Sequence, residues 1–248
     1  CFEENYKDAA GPELQTAFFD IEVDFDKVRG FSPTHDPFNP ITAVSVYLNW
    51  LDQLITLAVP PKSLSMETAK ELVAEFDNTF LFDNEADMLK MFLDLIEDAD
   101  VLSGWNSEGY DIPYTVNRIT RILSKDDTRK FCLWGQFPKP RKFERFGAEQ
   151  QTYDLIGRVH MDYMQLYRKY TYEERHSYSL DAISEHELGE RKTQFEGTLD
   201  QLYNQHFKTF IAYNRQDTAL LDKLDKKLQF LDLANTLAHA NTVLLQTT

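Results

Sequence analysis

The feature that most constrains the fold is the short apolar run at residues 17–23, AFFDIEV, which carries two acids among Phe, Ile and Val. A run of this composition is typical of a buried β-strand. Because Asp20 and Glu22 are separated by one residue, both carboxylates leave the same face of a strand, while Ile21 and Val23 face the other way. Acids inside a protein are costly unless they are paired or metal-bound. The run predicts a metal-binding strand, with an edge strand facing solvent as the alternative.

The patterns that follow predict an α/β domain. Residues 42–48 and 54–59 would form an antiparallel meander with the first strand, and residues 101–105 predict a further strand. Residues 66–76 and 84–96 have the apolar spacing of amphipathic helices, and Asn84 is predicted to cap the second. Strands and helices that alternate after a meander favour a mixed sheet, an antiparallel meander plus parallel strands, flanked by helices.

Two more elements are predicted in the second half of the chain. Strand-like pieces at about residues 141–155 flank Gly147 and indicate an inserted β-hairpin. From Leu199 onward the pattern is helical, and the spacing of the leucines predicts one long C-terminal helix at about residues 215–245.

Length and composition favour one folded domain. With 248 residues, of which 42% are hydrophobic, the chain can bury one substantial core. The start at Cys1 rather than at a methionine suggests a piece of something longer. We therefore expect residues 1–16 to be an N-terminal tail, the remnant of a preceding domain, and residues 17–248 to form the functional domain. No apolar run approaches the roughly 18 to 20 residues that cross a bilayer, which predicts no membrane partner.

The charge balance restricts how this chain can meet nucleic acid. Its 26 basic and 41 acidic residues give a net charge of −15, which argues against a protein that coats nucleic acid through a large positive surface. A nuclease remains compatible, because divalent cations can neutralise an acidic site. Cys1 and Cys132 give no metal-ligand spacing, and the six histidines are scattered without pair spacing.

Two more acids have settings that suggest chemistry. Asp111, in NSEGYDIPY, follows a predicted strand and precedes a helix, where α/β proteins commonly place site residues; a helix N-cap is the alternative. Tyr213 and Asp217 are four residues apart, so they share one helix face, which could also be a solvated face. With Asp20 and Glu22 these residues supply what metal-assisted phosphodiester hydrolysis needs, since Mg²⁺ and Mn²⁺ prefer oxygen ligands.

The three motifs resemble the exonuclease motifs of family B DNA polymerases: FFDIEV, NSEGYDIPY and YNRQD. The set is similar to that of the DEDD exonucleases, tyrosine subtype. Longer stretches at residues 102–119, 161–170 and 177–188 resemble those of T4-like phage polymerases. The resemblance covers most of the chain, and Tyr110 stands where many members carry Phe. Nothing after Asp217 resembles the polymerase motifs, so no polymerase activity is expected of this chain.

The resemblance implies an RNase H-like fold and proofreading, in which mispaired 3′-terminal nucleotides leave as monophosphates with the help of two divalent ions, Mg²⁺ or Mn²⁺. It implies that Asp20 bridges the two ions, that Glu22 and Asp217 complete the inner one and that Asp111 serves the outer one. Tyr213 would orient the attacking water. The residues implied as DNA contacts are Asn106, Tyr110 and Phe31, and, on the hairpin, Arg141, Lys142 and Arg145.

The implied partners are a single-stranded DNA 3′ end or a primer–template, together with the palm and fingers domains of a parent polymerase. The implied location is the cytoplasm of a phage-infected bacterium. Two alternatives stay open. An RNA-directed DEDD exonuclease would use the same carboxylates, because discrimination rests on contacts to the 2′-hydroxyl. A non-catalytic polymerase interaction module would keep the fold, although it has no chemical need for a cluster of mutually repelling acids.

Overall fold

A computed structural model describes residues 13–145, 147–191 and 197–248. Its main sheet has six strands in the order β4-β3-β2-β1-β5-β8, and two further strands form a separate hairpin. The strands are β1 Thr16–Val23, β2 Ile41–Leu48, β3 Gln53–Ala58, β4 Thr79–Leu81, β5 Val101–Gly104, β6 Lys139–Arg145, β7 Ala148–Asp154 and β8 Val159–Asp162.

Helices flank this sheet. The α-helices are α1 Met66–Val73, α2 Glu85–Leu95, α3 Asp111–Ile122, α4 Tyr163–Tyr170, α5 Leu180–Leu188, α6 Leu199–Gln205, α7 Phe207–Leu228 and α8 Phe230–Asn241. Short 3₁₀ helices span Asp126–Phe131 and Leu245–Thr247. Asn84 caps α2 as predicted, because its side-chain oxygen accepts a hydrogen bond from the backbone N–H of Asp87.

The predicted sheet is confirmed. Strands β1, β2 and β3 form the antiparallel meander, whereas β5 pairs with β1, β8 with β5, and β4 with β3 in parallel. Mixed pairing with helices on both faces is consistent with an RNase H-like exonuclease fold. Within the described residues, no helix is both long enough and apolar enough to span a membrane.

The alternation along β1 divides the core in two. Ala17, Phe19 and Ile21 face one cluster of buried apolar residues, which also includes Phe92 of α2. Phe18 faces the other cluster, to which α7 contributes. Because side chains alternate along a strand, Asp20 and Glu22 lie on the same face as Phe18. The sheet therefore presents both acids toward α7.

Strand β5 approaches β1 closely at Gly104, beside Phe19, the residue before Asp20. A Cβ added to Gly104, at the end of β5, would lie 2.8 Å from the backbone oxygen of Phe19 and 2.9 Å from the Cβ of Ser107. Such distances are too short for a side chain, so a residue without one lets β5 and the turn after it lie tightly against β1.

The predicted hairpin is present. Strands β6 and β7 pair in antiparallel register from Lys139 opposite Asp154 to Arg145 opposite Ala148. Gly147 lies in the connecting turn with φ +73°, a conformation that glycine adopts without strain.

The prediction of one long C-terminal helix at residues 215–245 is wrong. Two helices, α7 and α8, meet at Gln229, whose backbone is left-handed with φ 54° and ψ 36°. The carboxylate of Asp225 accepts a hydrogen bond from the N–H of Leu231, in the first turn of α8, which stabilises a second helix start. Buried leucines on both sides of the break keep helical spacing, so their pattern does not reveal it.

Candidate active site

Three of the predicted acids converge in space. Asp20, Glu22 and Asp217 each offer a carboxylate oxygen, and these atoms all lie within 4.8 Å of one another. We call these three residues the acidic cluster. Glu22 and Asp217 are buried, with relative exposures of 6% and 5%. Buried carboxylates this close repel one another, and a bound hard cation would offset that repulsion.

Two elements build the acidic cluster. Strand β1 lies inside the sheet, between β2 and β5, so the alternative of a solvent-facing edge strand is wrong. Helix α7 packs across β1, β2 and β3 and brings Asp217 over the two acids of the strand. A register irregularity between Glu22 and Val23 ends the regular pairing of β1 directly after the second acid.

Tyr213 lies one helical turn before Asp217, on the same face of α7. Its ring is partly buried against an apolar cluster that includes Leu202, Phe207 and Phe210. This packing restrains the ring, so the geometry is compatible with a phenol that stays near the acidic cluster.

Asp111 is outside the acidic cluster but is connected to it. Tyr110 occupies the N-cap position of α3 and Asp111 is the first residue of the helix, so the N-cap alternative is wrong. Its Oδ1 accepts a hydrogen bond of 3.3 Å from the backbone N–H of Ile21, the residue between the two acids of β1. Asp111 is thus tied directly to the strand that carries Asp20 and Glu22.

The environment of Asp111 opposes its ionisation. Burial raises the pKa of its carboxyl to about 7, and the charge of Asp162 adds to this, while the hydrogen bond from Ile21 acts in the opposite direction. A nearby divalent cation would favour the charged form and reverse the shift. The protonation of this acid and the binding of a cation are therefore expected to compete.

Mg²⁺ is expected to raise the melting temperature of the protein more at pH about 8 than at pH about 5.5. Between pH about 4 and 7 the folded protein keeps a proton on Asp111 that the unfolded chain has lost, because folding raises this pKa. The metal-free protein therefore loses stability as pH rises through that window. Above it the ionised carboxylate of Asp111 repels the neighbouring acids, and a bound cation can offset this repulsion. Thermal unfolding with and without Mg²⁺ at both pH values measures the difference.

Asp111→Asn is the control, since it removes the titrating carboxyl and should reduce the difference between the two pH values. Burial also raises the pKa of Asp222 and Asp225, and both acids remain in the variant. The comparison of the two proteins therefore isolates Asp111. An equal gain from Mg²⁺ at both pH values in the parent protein would contradict the expectation.

The loop that leads into Asp111 is held by an acid that the sequence analysis missed. Asp162, at the end of β8, accepts hydrogen bonds from the backbone N–H groups of Asn106 and Glu108 and also caps α4. Asn106 has φ 61°, so this loop turns sharply where it meets Asp162. The available signal was an aspartate directly before a helical pattern, which predicts a cap and not a loop anchor.

A partly buried histidine supports the same loop. His160 Nε2 lies 2.8 Å from Ser107 Oγ, which also donates to the carbonyl of Gly104. Burial lowers the pKa of His160 to about 3, and the charge of Arg141 contributes in the same direction. His160 is therefore neutral at physiological pH and acts as a structural residue.

The loop between β1 and β2 carries the predicted contact Phe31. Its side chain is 77% exposed, and its ring centroid lies 4.8 Å from that of Phe25. The same loop is anchored by Arg118 of α3, whose Nε and Nη2 donate to the two carboxylate oxygens of Glu85 at 2.8 and 2.6 Å. Arg118 Nη1 donates to the carbonyl of Pro37. An exposed aromatic ring thus projects from a firmly attached loop.

The hairpin side chains predicted to contact DNA have partners within the protein. Arg141 forms ion pairs with Glu108 of the loop before α3 and with Asp154 of β7. Lys142 is paired within the hairpin. The side chain of Arg145 is outside the described residues. Arg141 therefore connects the base of the hairpin to the loop that leads into Asp111.

Tyr110, in that loop, stacks on Tyr114 with 5.3 Å between ring centroids.

Comparison with known proteins identifies relatives of this chain. A family model described as DNA polymerase family B, exonuclease domain, matches residues 2–183. The DNA-directed DNA polymerase of Enterobacteria phage T4 is 30% identical over 160 residues, which are 64% of this chain and 18% of that protein. The DNA-directed DNA polymerase of Escherichia phage RB69 is 27% identical over 253 residues, 94% of this chain and 28% of that protein.

A eukaryotic relative gives a similar match. The DNA polymerase delta catalytic subunit of Bos taurus is 27% identical over 246 residues, which are 93% of this chain and 21% of that protein. The chain therefore spans less than a third of the length of these curated relatives.

Proposed function

Because the chain belongs to the exonuclease-domain family of the family B DNA polymerases, we propose that it hydrolyses the terminal phosphodiester of single-stranded or mispaired DNA from the 3′ end. The products are deoxynucleoside monophosphates. The observation that carries this proposal is the convergence of Asp20, Glu22 and Asp217 to within 4.8 Å. Asp217 lies beyond the residues that the family model matches, and the fold nevertheless returns it to the two acids of β1.

The acidic cluster fits divalent cations. Its donors are carboxylate oxygens, which Mg²⁺ and Mn²⁺ prefer, and their mutual repulsion is relieved by positive charge. We assign Asp20, Glu22 and Asp217 to one ion, with Asp20 shared and Asp111 serving a second. Two such ions, when bound, would activate the attacking water and stabilise the departing 3′ oxygen.

The remaining roles belong to side chains around the acidic cluster. The Tyr213 hydroxyl orients the attacking water by hydrogen bonding, since its ring is restrained on the face of α7 that carries Asp217. Asn106 and Tyr110 lie in the loop before α3 and contact the terminal nucleotides. Phe31 stacks against bases from its exposed position, and the hairpin meets the strand with Arg141, Lys142 and Arg145.

This activity edits the 3′ end of a growing strand made by polymerase domains of a parent protein. The relatives named as DNA-directed DNA polymerases are several times longer than this chain, which supports partners of that kind. Two of these relatives belong to phages of enteric bacteria, which supports a role in phage replication inside the infected cell. We place the exonuclease domain at residues 17–248; its first strand begins one residue earlier, at Thr16.

A labelled-oligonucleotide assay tests the proposal. The purified protein is incubated with 5′-labelled single-stranded DNA, single-stranded RNA of the same sequence, and a duplex with a 3′ mismatch, each with Mg²⁺, with Mn²⁺ or with EDTA. We expect metal-dependent shortening of both DNA substrates from the 3′ end, with release of monophosphates.

Each other outcome has a clear meaning. RNA cleavage equal to or faster than DNA cleavage would overturn the DNA assignment and favour the RNA-directed alternative. Binding of DNA without cleavage under any metal condition would overturn the enzymatic assignment and favour a non-catalytic module. Cleavage that persists in EDTA would exclude the metal-dependent mechanism.

A further inference from the structure

A row of polar side chains crosses the sheet beneath α7. The strand registers place Asp20 opposite Ser45, Ser45 opposite Thr56, and Thr56 opposite Thr79, so the row runs over four adjacent strands. Ser45 and Thr56 are completely buried. We call Asp20, Ser45, Thr56 and Thr79 the polar row. Hydroxyls in such positions need hydrogen-bond partners, and α7 supplies them.

Arg215 of α7 gives the polar row a direction. Its Nη1 lies 3.1 Å from Thr56 Oγ1 and 3.1 Å from Thr79 Oγ1. A guanidinium can only donate, so the Thr56 hydroxyl accepts from Arg215 and has its own proton available for Ser45, whose Oγ is 2.8 Å away. The chain of hydrogen bonds therefore points from Arg215 toward β1.

Asn214, the neighbour of Arg215 on α7, carries this direction to the acidic cluster. The Ser45 hydroxyl donates to Asn214 Oδ1 at 2.6 Å, and Asn214 Nδ2 donates to Asp20 Oδ2 at 2.8 Å. Because Ser45 donates to the amide oxygen, the amide nitrogen must face the carboxylate. The side chain of Asn214 is completely buried, so its amide oxygen and nitrogen cannot bond to solvent instead.

We propose that Asn214 is a positioning residue for Asp20. This inference rests on the proposed function, because its purpose is to keep the Asp20 carboxylate beside Glu22 and Asp217 in the geometry that holds a cation. A neutral donor achieves this without adding positive charge that would compete with the cation. If the amide were reversed, its oxygen would face the carboxylate and repel it. The hydrogen bond that Ser45 donates to the amide oxygen stabilises the observed orientation against that reversal.

A residue that hydrogen-bonds to a metal-binding carboxylate has a measurable effect on metal affinity. Loss of a hydrogen bond to a metal ligand typically lowers metal affinity or activity by about 10- to 100-fold. A purely structural asparagine would instead lower stability and leave the affinity of the folded protein for metal unchanged. Metal affinity, measured apart from catalysis, therefore separates the two roles.

The experiment measures Mn²⁺ binding to the DNA-free protein by electron paramagnetic resonance, in parallel with the Mn²⁺ dependence of single-stranded DNA cleavage. We expect Asn214→Ala to weaken Mn²⁺ binding by about 10- to 100-fold. The Mn²⁺ concentration for half-maximal cleavage should rise by the same factor, whereas the KM for DNA should stay close to that of the parent. Unchanged Mn²⁺ affinity in this variant would overturn the proposal.

Thr218→Val is the matched control. Thr218 is completely buried on the same helix, and its hydroxyl bonds only backbone carbonyls, those of Ser45 and Asn214, among the contacts of the described residues. We expect a comparable loss of stability with parental Mn²⁺ affinity. A loss of Mn²⁺ affinity as large as that of Asn214→Ala would overturn the proposal, because any damage to α7 would then suffice.

A second variant keeps the proposal testable if Asn214→Ala fails to fold. Ser45→Ala removes only the hydroxyl that orients the amide, and we expect a smaller loss of Mn²⁺ affinity, at the low end of the usual range, about 10-fold. Parental affinity in this variant would overturn the directional role of Ser45 and of the polar row. Asp20→Ala separates a failure of the proposed function from a failure of the positioning role. Parental DNA cleavage in Asp20→Ala contradicts the proposed function. Loss of cleavage in Asp20→Ala, together with parental Mn²⁺ affinity in Asn214→Ala, contradicts only the positioning role.

Discussion

Replacement of Asp20 by alanine is expected to slow cleavage of single-stranded DNA by about a thousandfold or more. A metal that activates the nucleophile and stabilises the leaving oxygen contributes several kcal/mol, and about 4 kcal/mol corresponds to a factor of about a thousand. Asp20 is the member of the acidic cluster assigned to both ions, so its loss disturbs both. Single-turnover cleavage of a 5′-labelled oligonucleotide measures the rate.

Asp98→Ala is the matched control, because Asp98 is an exposed acid on the protein surface and its loss changes the net charge by the same amount. We expect its rate to stay within about twofold of the parent, as is usual for surface substitutions away from a site. The double variant Asp20→Ala/Asp217→Ala should be no slower than the slower single variant, since residues that act as a unit are not additive. A parental rate in Asp20→Ala would remove the acidic cluster from the mechanism.

Replacement of Arg118 by alanine is expected to lower the free energy of unfolding by about 3 to 5 kcal/mol. The side chains of Arg118 and Glu85 are only 7% and 12% exposed, so the variant leaves a buried carboxylate without its cation. It also removes the donor to the carbonyls of Pro37 and Phe38. Urea denaturation followed by circular dichroism measures the loss.

The double variant Arg118→Met/Glu85→Leu separates charge from packing. Replacing both members of a buried pair by apolar residues is often close to neutral, so we expect this protein to be more stable than Arg118→Ala. If the free energy of unfolding of Arg118→Ala lies within about 1 kcal/mol of the parent value, the pair of Arg118 and Glu85 is not the anchor of the loop that carries Phe31.

The parts of the fold that the sequence revealed are those with strong local patterns. Side chains of residues 17–23 point alternately to the core and to the face of the sheet that carries the acidic cluster. A buried strand does not itself need acids, so the two acids indicate a site. Asn84 caps a helix through a local hydrogen bond, which depends on neighbouring residues alone. The meander follows from short apolar strands in succession, whose pairing leaves few arrangements.

The features that the sequence concealed depend on contacts between distant segments. Ser45 and Thr56 resemble ordinary strand residues, and only the strand registers bring them into line with Asp20. Asn214 lies beside the recognised Tyr213 but shows its role only when α7 docks on the sheet. The break at Gln229 has no glycine or proline to mark it, and the leucine spacing continues across it.

The hydrogen bond between Asn214 and Asp20 joins residues 194 positions apart in the chain. Contacts of such high sequence separation are costly to form, because the entropy of closing a long loop must be overcome before they can stabilise the chain. A chain in which the β1–β2–β3 meander had formed and α7 had not docked would have two of the three carboxylates and no amide to hold them. The capacity to bind a cation therefore arises together with long-range closure, so that an incompletely folded protein does not yet possess an active centre.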